Sequence, residues 1–269
     1  MSPEPRAPVL VITGDGLNCE RETAHALRLA GAAPELVHVS DAAERGLEDF
    51  QILVLIGGFA HGDHLGAGTV QASLFRHRLR KPLERFVAAG RLVLGVCNGF
   101  QTLVKMGLLP EAGWERTATI MPNDSGRFED RWVHLAVDPA SPCIWTRGLR
   151  RLYLPVRHGE GKFVVRDASV ALSLRRRAQV ALRYADARGR PTMDYPDNPN
   201  GSEDAVAGVC DPSGRIFGLM PHPEAYLSPY NHPSWTRRSA LGLPLPEQGE
   251  GVSLFRNAVR FLLAEGLVR

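Results

Sequence analysis

The segment that most restricts the fold is an apolar run that ends in a cysteine held between two glycines. Residues 92–96 read Leu-Val-Leu-Gly-Val, and Gly95 and Gly99 lie two residues before and after Cys97. Glycines in these places let a strand and the next helix approach closely, while the residue between them takes a strained conformation that projects its side chain. The pattern predicts a strand, a sharp turn that presents the Cys97 thiol, and a helix.

The elbow, residues 95–99, leaves two roles open for Cys97. The first amides of a helix carry partial positive charge, which favours thiolate over thiol and would activate a nucleophile. A buried structural cysteine in a glycine-rich turn is the alternative. The elbow sequence alone does not decide between a nucleophile and a structural cysteine.

The apolar runs of the first hundred residues are continuous rather than alternating. Such runs are typical of strands buried on both faces of a parallel sheet. The strand runs are 9–12, 36–39, 52–56 and 92–96, and the helical stretches are 20–30, which stops at Gly31, and 70–89, which Pro82 interrupts. The predicted fold class is α/β, a doubly wound and mostly parallel sheet with helices on both faces.

The second half of the sequence has a different pattern, because turn-rich segments separate its short apolar runs. We expect added strands at 132–137, 163–165, 180–184 and 216–219, a surface loop at 191–204, and a closing helix at 253–265. A chain of 269 residues with 44% apolar content can bury one large core. We therefore expect a single domain over residues 1–269.

Charge and cysteine usage argue against several function classes. The net charge is only +3 and the arginines are spread along the chain, so nucleic acid is not a favoured partner. The cysteines form no Cys-x-x-Cys pair, which predicts reduced thiols and no metal site, and we favour a metal-free loop around His61, Asp63 and His64. No stretch approaches the roughly 20 apolar residues of a membrane span, so we expect a soluble cytoplasmic protein without a membrane partner.

A nucleophile needs a base, and His222 is the strongest candidate. It follows the apolar run 216–220 and precedes Glu224 by two residues. In an extended segment, residues i and i+2 point to the same side, so the Glu224 carboxylate can hold the imidazole and support its charge. The combination predicts a Cys97, His222, Glu224 triad. The alternative is a turn histidine between prolines with an exposed glutamate.

An oxyanion site is predicted at Gly57-Gly58-Phe59, which follows the strand at 52–56. Open α/β sheets bind ligands at the carboxyl ends of their strands. Peptide N–H groups near Gly58 and Phe59, with the N–H of Asn98, can stabilise a tetrahedral oxyanion. An ordinary strand-ending turn is the alternative.

These elements, in this order, resemble the class I (triad) glutamine amidotransferases, which have a flavodoxin-like fold. The resemblance rests on G-x-C-x-G-x-Q at 95–101 and H-P-E at 222–224. Further stretches resemble the glutaminase subunits of phosphoribosylformylglycinamidine synthases: GLNCER, GGFAHGDHLGAG, CNGFQTLVKMGLLP, RHGEGKF and NPNGSEDAVAGVCDPSGRIFGLMPHPE. The likeness covers nearly the whole chain except about 226–250. Ile56, His61, His64 and Leu17 depart from the usual pattern.

The resemblance implies that Cys97 attacks the side-chain amide of L-glutamine, that His222 handles the protons, and that Gln101 helps to hold the substrate. Ammonia would pass to a PurL-type synthetase subunit, which uses ATP and Mg²⁺ to convert formylglycinamide ribonucleotide to its amidine, with a PurS-type small subunit in the complex. No cofactor is expected in this chain. An amidotransferase that serves another synthetase, or a non-catalytic regulatory subunit, are the alternatives.

Overall fold

The computed structural model describes residues 6–268, and a twisted nine-stranded sheet organises them. Its strand order is β2-β1-β3-β4-β11-β10-β9-β6-β7, and only β6 and β10 run against the direction of the others. A two-stranded sheet pairs β5 with β8. The predicted α/β class with a mostly parallel sheet is confirmed.

The elements agree with most of the predicted runs. The strands are β1 (Ala7–Thr13), β2 (Ala32–His38), β3 (Ile52–Leu55), β4 (Leu92–Val96), β5 (Ala118–Pro122), β6 (Glu129–Val137), β7 (Arg151–His158), β8 (Glu160–Val165), β9 (Val180–Ala185), β10 (Val206–Cys210) and β11 (Ile216–Leu219). The helices are α1 (Glu20–Leu29), α2 (Ala42–Arg45), α3 (Thr69–Leu74), α4 (Arg80–Ala88), α5 (Asn98–Met106), α6 (Ala168–Arg176), α7 (Trp235–Ala240) and α8 (Val252–Ala264). No helix within residues 6–268 combines the length and the apolar character that crossing a bilayer requires.

The core lies on both faces of the parallel strands. Every residue of β3, β4 and β11 is buried, as continuous apolar runs predict. Helix α1 packs against α8, and α3 packs against α5. The chain moves from β1 to β2 in one direction along the sheet and from β3 to β4 in the other. Since crossovers between parallel strands are right-handed, the two helix pairs lie on opposite faces of the sheet.

The predicted helix over 70–89 is divided at a different place. A π-helical turn at Phe75–Leu79 separates α3 from α4, and Pro82 lies within the first turn of α4. Proline is tolerated there because the first N–H groups of a helix have no partner within it. The interruption therefore precedes the proline.

The β6–β7 hairpin brings an edge strand over the carboxyl end of the parallel strands. Strand β6 pairs with β9 only from His134 to Val137, whereas it pairs with β7 from Glu129 to Ala136. The part of the hairpin that does not pair with β9 reaches the loops after β4 and β11. There the His222 N–H donates a hydrogen bond to the Pro155 carbonyl at 2.8 Å. None of the predicted strands covered β7.

The segment 226–250 covers this edge strand. Glu250 accepts a hydrogen bond from the backbone N–H of Tyr153 at 2.8 Å, and Tyr226, Trp132 and His232 pack beside it. An uncovered edge strand offers unpaired backbone groups to other chains. The segment therefore closes the end of the sheet.

The elbow glycines are placed where no side chain fits. A Cβ on Gly99 would lie 2.0 Å from the Leu55 carbonyl oxygen, and one on Gly95 would lie 2.5 Å from Leu103 Cδ1. Strand β3, strand β4 and helix α5 thus meet at backbone distance. This contact fixes where α5 begins.

We predict that Gly99→Ala lowers the free energy of unfolding by at least about 1–3 kcal/mol, since backbone must move to admit the methyl group. Gly113→Ala is the control, because its Cβ would lie 3.9 Å from the nearest atom, and a change within about 0.5 kcal/mol is expected. Urea unfolding measures both. Equal effects of the two substitutions would contradict the close approach at Gly99.

Candidate active site

Cys97 lies at a strained turn between β4 and α5. Its backbone has φ 49° and ψ −105°, a left-handed conformation that costs a non-glycine residue about 1–3 kcal/mol. Its N–H donates to the Leu219 carbonyl at 2.8 Å, which ties the turn to β11. The side chain is only 4% exposed, and Sγ lies 3.6 Å from the Arg157 carbonyl oxygen. The turn is the elbow that the glycine pattern predicts.

The start of α5 supplies an electropositive setting for the thiol. Asn98 is the first residue of this helix, so its N–H has no partner within the helix. Gly107, at φ 78°, ends the helix. The partial positive charge of a helix N-terminus stabilises a thiolate over a thiol.

His222 and Glu224 form a buried pair. His222 Nδ1 lies 2.6 Å from Glu224 Oε1, and both side chains are almost fully enclosed. His222 is extended, but residues Pro223–Ala225 form a turn of 3₁₀ helix. The predicted contact is present, although a tight turn rather than strand alternation brings the carboxylate back to the ring.

The electrostatics of this pair favour a charged imidazole. Burial by itself would lower the pKa of His222, but the Glu224 carboxylate and the neighbouring Cys97 raise it well above its usual 6.5. With Nδ1 held by Glu224, Nε2 has no hydrogen-bond partner within residues 6–268. Nε2 is therefore the ring atom that is free to exchange a proton with a thiol or a substrate.

Two glycine-rich loops interlock beside the triad. A Cβ on Gly57 would lie 2.8 Å from His222 Cε1, and one on Gly58, at φ 140°, would lie 2.6 Å from the Gly16 carbonyl oxygen. The N–H of Phe59 donates to that same Gly16 oxygen at 2.7 Å. The Gly-Gly pair thus admits the imidazole on one side and the loop after β1 on the other.

This arrangement corrects one predicted oxyanion donor. The Phe59 N–H is committed to Gly16, so it is not free to bind an oxyanion, and Phe59 instead exposes its ring. The N–H groups of Gly58 and Asn98 have no acceptor within the described part of the chain. They remain the two candidate donors.

A side-chain network connects the elbow to two further loops. Asn98 Nδ2 donates to Asp63 Oδ1 at 3.0 Å and to Gln101 Oε1 at 3.1 Å. Gln101 Nε2 donates to the Glu160 carbonyl at 2.6 Å. The Glu160 carboxylate in turn accepts the Ala67 N–H. Both ends of Gln101 thus have protein partners.

His158 is a buried neutral histidine close to His222. Burial, reinforced by the charge of His222, lowers the pKa of His158 to about 3. Asn123 uses its amide nitrogen on two carbonyls, so its Oδ1, 3.1 Å from His158 Nδ1, accepts a hydrogen bond from that ring nitrogen. His158 Nε2 is then a bare acceptor and has no partner in residues 6–268.

The possible metal ligands His61, Asp63 and His64 do not form a cluster of ligand atoms. Asp63 turns towards Asn98 and the Gly68 N–H rather than towards His61 and His64. Within residues 6–268 one cluster has three potential ligand atoms within 4.8 Å of one another, and it consists of Cys19, His222 and Glu224.

Sequence reasoning missed Cys19, Asp63 and His158 as neighbours of the site. Each follows or ends a strand at the carboxyl edge of the sheet, or lies on the hairpin that covers it. The rule that ligands bind at this edge was the available signal for Cys19 and Asp63. No local signal identifies His158, because its position depends on the pairing of β6 with β7.

A surface cavity of about 410 Å³ is separate from the triad, because none of the triad residues lines it. It is lined by Asp124, Ser125, Arg127, Met193, Tyr195, Asn198, Pro199 and Gly201. The Asn123 N–H donates to the Gly159 carbonyl at 2.9 Å, so the cavity adjoins the turn that follows β7. The chemistry of the triad does not reach it.

Comparison with known proteins gives a consistent picture. Residues 6–262 match the CobB/CobQ-like glutamine amidotransferase domain family. Over 259 residues the chain is 42% identical to phosphoribosylformylglycinamidine synthase subunit PurQ of Dehalococcoides mccartyi, covering 95% of this chain and 98% of that protein. PurQ of Methanococcus maripaludis is 39% identical over 264 residues, covering 94% of this chain and 96% of the relative.

Solved structures agree with the sequence relatives. PurLQS from Thermotoga maritima matches with a TM-score of 0.68 and 31% identity, covering 96% of this chain and 99% of that chain. A glutamine amidotransferase from Thermotoga maritima matches with a TM-score of 0.51 at 17% identity, covering 97% of this chain and 94% of that chain. The second match is a likeness of fold alone.

We predict that His158 makes the protein acid-sensitive. The folded pKa of about 3 lies below the unfolded value of 6.5, so the unfolded chain takes up the proton first and stability falls as the pH drops below 6.5. At pH 5 this cost is about 2 kcal/mol. Urea unfolding at pH 7.5 and pH 5 should show a smaller loss for His158→Gln than for the wild type. The same loss in both proteins would contradict a neutral buried His158.

Proposed function

The chain belongs to the CobB/CobQ-like glutamine amidotransferase domain family, and on that premise we propose that Cys97, His222 and Glu224 hydrolyse glutamine as a triad. Relatives 39–42% identical over nearly its whole length make it the glutaminase subunit of phosphoribosylformylglycinamidine synthase. One observation carries the catalytic assignment: Cys97 holds a strained conformation at a helix N-terminus, beside an imidazole whose Nδ1 is hydrogen-bonded to a carboxylate.

The first half-reaction forms a thioester. The Cys97 thiolate attacks the side-chain carbonyl carbon of glutamine, and the carbon–nitrogen bond of the tetrahedral intermediate then breaks. His222 Nε2, which has no other partner, donates the proton that lets the nitrogen leave as ammonia. Glu224 stabilises the imidazolium throughout but does not itself take the proton.

The second half-reaction regenerates the thiol. Neutral His222 removes a proton from water, the hydroxide adds to the thioester carbonyl, and the carbon–sulfur bond breaks to release glutamate. The released thiolate and the imidazolium restore the resting state. The raised pKa of His222 supports the start of this cycle, because the ring must hold a proton until the carbon–nitrogen bond breaks.

The oxyanion of each tetrahedral intermediate is assigned to the N–H groups of Gly58 and Asn98. Both are free of protein acceptors in the described chain, and backbone contacts hold the loop that contains Gly58 and the start of α5, where Asn98 lies. A pre-organised donor of this kind is worth about 10²–10³ in rate. Asp63 keeps Asn98 in place through its side chain.

Gln101 holds the substrate indirectly in this proposal. Its two polar ends connect Asn98 with the Glu160 carbonyl, so it positions the turn at 158–161 that borders the substrate space. Asn98 Oδ1 has no hydrogen-bond partner among residues 6–268 and is available to a ligand.

Ammonia has to reach an acceptor before bulk water protonates it, so the mouth of the site should be covered by a partner. We assign this role to a PurL-type synthetase subunit, with a PurS-type small subunit in the complex. ATP and Mg²⁺ belong to the synthetase, which converts formylglycinamide ribonucleotide to the amidine. The exposed rings of Phe59 and Phe128, with centroids 6.1 Å apart, support a covered mouth.

We propose that the protein works in the cytoplasm as one domain over residues 1–269. The sheet and both helix layers share one continuous core, which supports a single domain. Its cysteines at 19, 97, 143 and 210 are all buried and unpaired in the structure. Free thiols are typical of a reducing compartment.

The decisive experiment uses Cys97→Ala in the assembled synthase. Glutamine-dependent amidine formation should fall below about a thousandth of the wild-type rate, because the nucleophile is lost. Synthesis from added ammonia should persist. Cys143→Ala, which changes a buried thiol away from the triad, is the control and should keep both activities. If Cys97→Ala also loses ammonia-dependent synthesis, the proposed division of labour is wrong.

We predict a selective effect of Asp63→Asn on kcat. The substitution replaces a charged acceptor for Asn98 with a neutral one, a difference of about 1 kcal/mol or roughly five- to tenfold in rate. KM should change less than about twofold, since oxyanion donors act on the transition state. Steady-state glutaminase kinetics measure both constants, with the exposed His64→Asn on the same loop as control. An increase in KM at unchanged kcat would contradict this role.

A further inference from the structure

Cys19 is a buried thiol that the proposed mechanism does not use, although it lies against the catalytic histidine. Its Sγ is 4.0 Å from His222 Nδ1, on the side of the ring that faces Glu224. It follows β1 and immediately precedes α1, so the loop after the first strand delivers it to the triad. The side chain is 9% exposed.

The three side chains offer a donor set that favours a thiophilic divalent cation. Their ligand atoms, Cys19 Sγ, His222 Nδ1 and a Glu224 carboxylate oxygen, all lie within 4.8 Å of one another. A thiolate, an imidazole and a carboxylate are the three ligand types that Zn²⁺ binds. Glu224 Oε2 is also buried without a hydrogen-bond partner in residues 6–268, so the carboxylate has an unused ligand atom at the cluster.

The distances require only small movements. In a tetrahedral zinc site the sulfur and nitrogen ligands would be about 3.6 Å apart and the nitrogen and oxygen ligands about 3.4 Å apart. The corresponding separations here are 4.0 Å and 2.6 Å. Each differs from the ideal value by less than an ångström.

We propose that Cys19, His222 Nδ1 and Glu224 form an inhibitory site for a thiophilic divalent cation such as Zn²⁺. The cation takes the place of the proton that Nδ1 shares with Glu224, and the Cys19 thiol gives up its proton on binding. His222 then loses the carboxylate that supports its positive charge, so it no longer cycles a proton between Cys97 and the leaving nitrogen. The inhibition rests on the proposed function, but the binding does not.

Cys19 is buried, and a cation has to displace its thiol proton in order to bind. Such a site binds more weakly than a structural zinc centre, and its occupancy follows the free cation concentration. This suits a regulatory ligand that leaves the enzyme active when the cation is scarce.

Binding is tested with Co²⁺ in the full-length Cys97→Ala protein, which removes any competing site between the nucleophile and His222 Nε2. One Co²⁺ should bind and give a near-ultraviolet band of thiolate-to-cobalt charge transfer. The band should vanish when Cys19→Ser is added and persist when Cys143→Ala is added. No band in Cys97→Ala, or a band that survives Cys19→Ser, would overturn the proposal.

Inhibition is tested in the assembled complex with Zn²⁺. The concentration that halves glutaminase activity should rise at least about tenfold in Cys19→Ser, because even the loss of a group that only supports a metal ligand costs about 10–100-fold in affinity. Cys143→Ala should match the wild type. Ammonia-dependent synthesis in the same assay should be insensitive over that range. Equal Zn²⁺ sensitivity of Cys19→Ser and wild type would refute the assignment. Thermal unfolding checks that Cys19→Ser is folded, and Cys19→Ala replaces it if it is not.

Discussion

The structure depends on one close approach, at which the backbones of β3, β4 and α5 meet without intervening side chains. Gly99 rests against the Leu55 carbonyl, and Cys97 turns through a left-handed conformation to make that possible. The strain is balanced by the hydrogen bond from the Cys97 N–H to Leu219 and by a helix with an entirely buried sequence. The position of the Cys97 thiol at the turn thus follows from how tightly the sheet and helix are packed.

The rest of the site is assembled from loops at the carboxyl edge of the sheet, which polar contacts hold to each other. The loop after β1 interlocks with the Gly57-Gly58 turn, and the loop after β3 holds Asn98 through Asp63. Gln101 extends the network to Glu160. Because each loop is held by another loop, the positions of the proposed catalytic groups depend on one another.

The parallel half of the fold could be predicted from the sequence, and the hairpin could not. Strand β4 matches its apolar run, because a strand buried on both faces is apolar throughout. Strand β7 contains arginines and a proline, and its place depends on distant pairing with β6. The triad residues were identified by spacing and by family resemblance. The engagement of the Phe59 N–H was not, since the direction of a peptide plane after Gly-Gly leaves no mark on the sequence.

The register in which β6 pairs with β7 decides which groups of the hairpin face this site. It brings the Arg157 carbonyl to the Cys97 thiol, the Pro155 carbonyl to the His222 N–H, and the neutral imidazole of His158 close enough to His222 to be affected by its charge. A slip of one residue would turn His158 outward and bring in the side chain of a neighbour, and Arg157 would bring a permanent positive charge. The connection between the two strands is anchored by Asn257, which donates to the carbonyls of Trp145 and Arg147. The register at the triad is therefore linked to an anchor on the last helix, which contributes no side chain to the site.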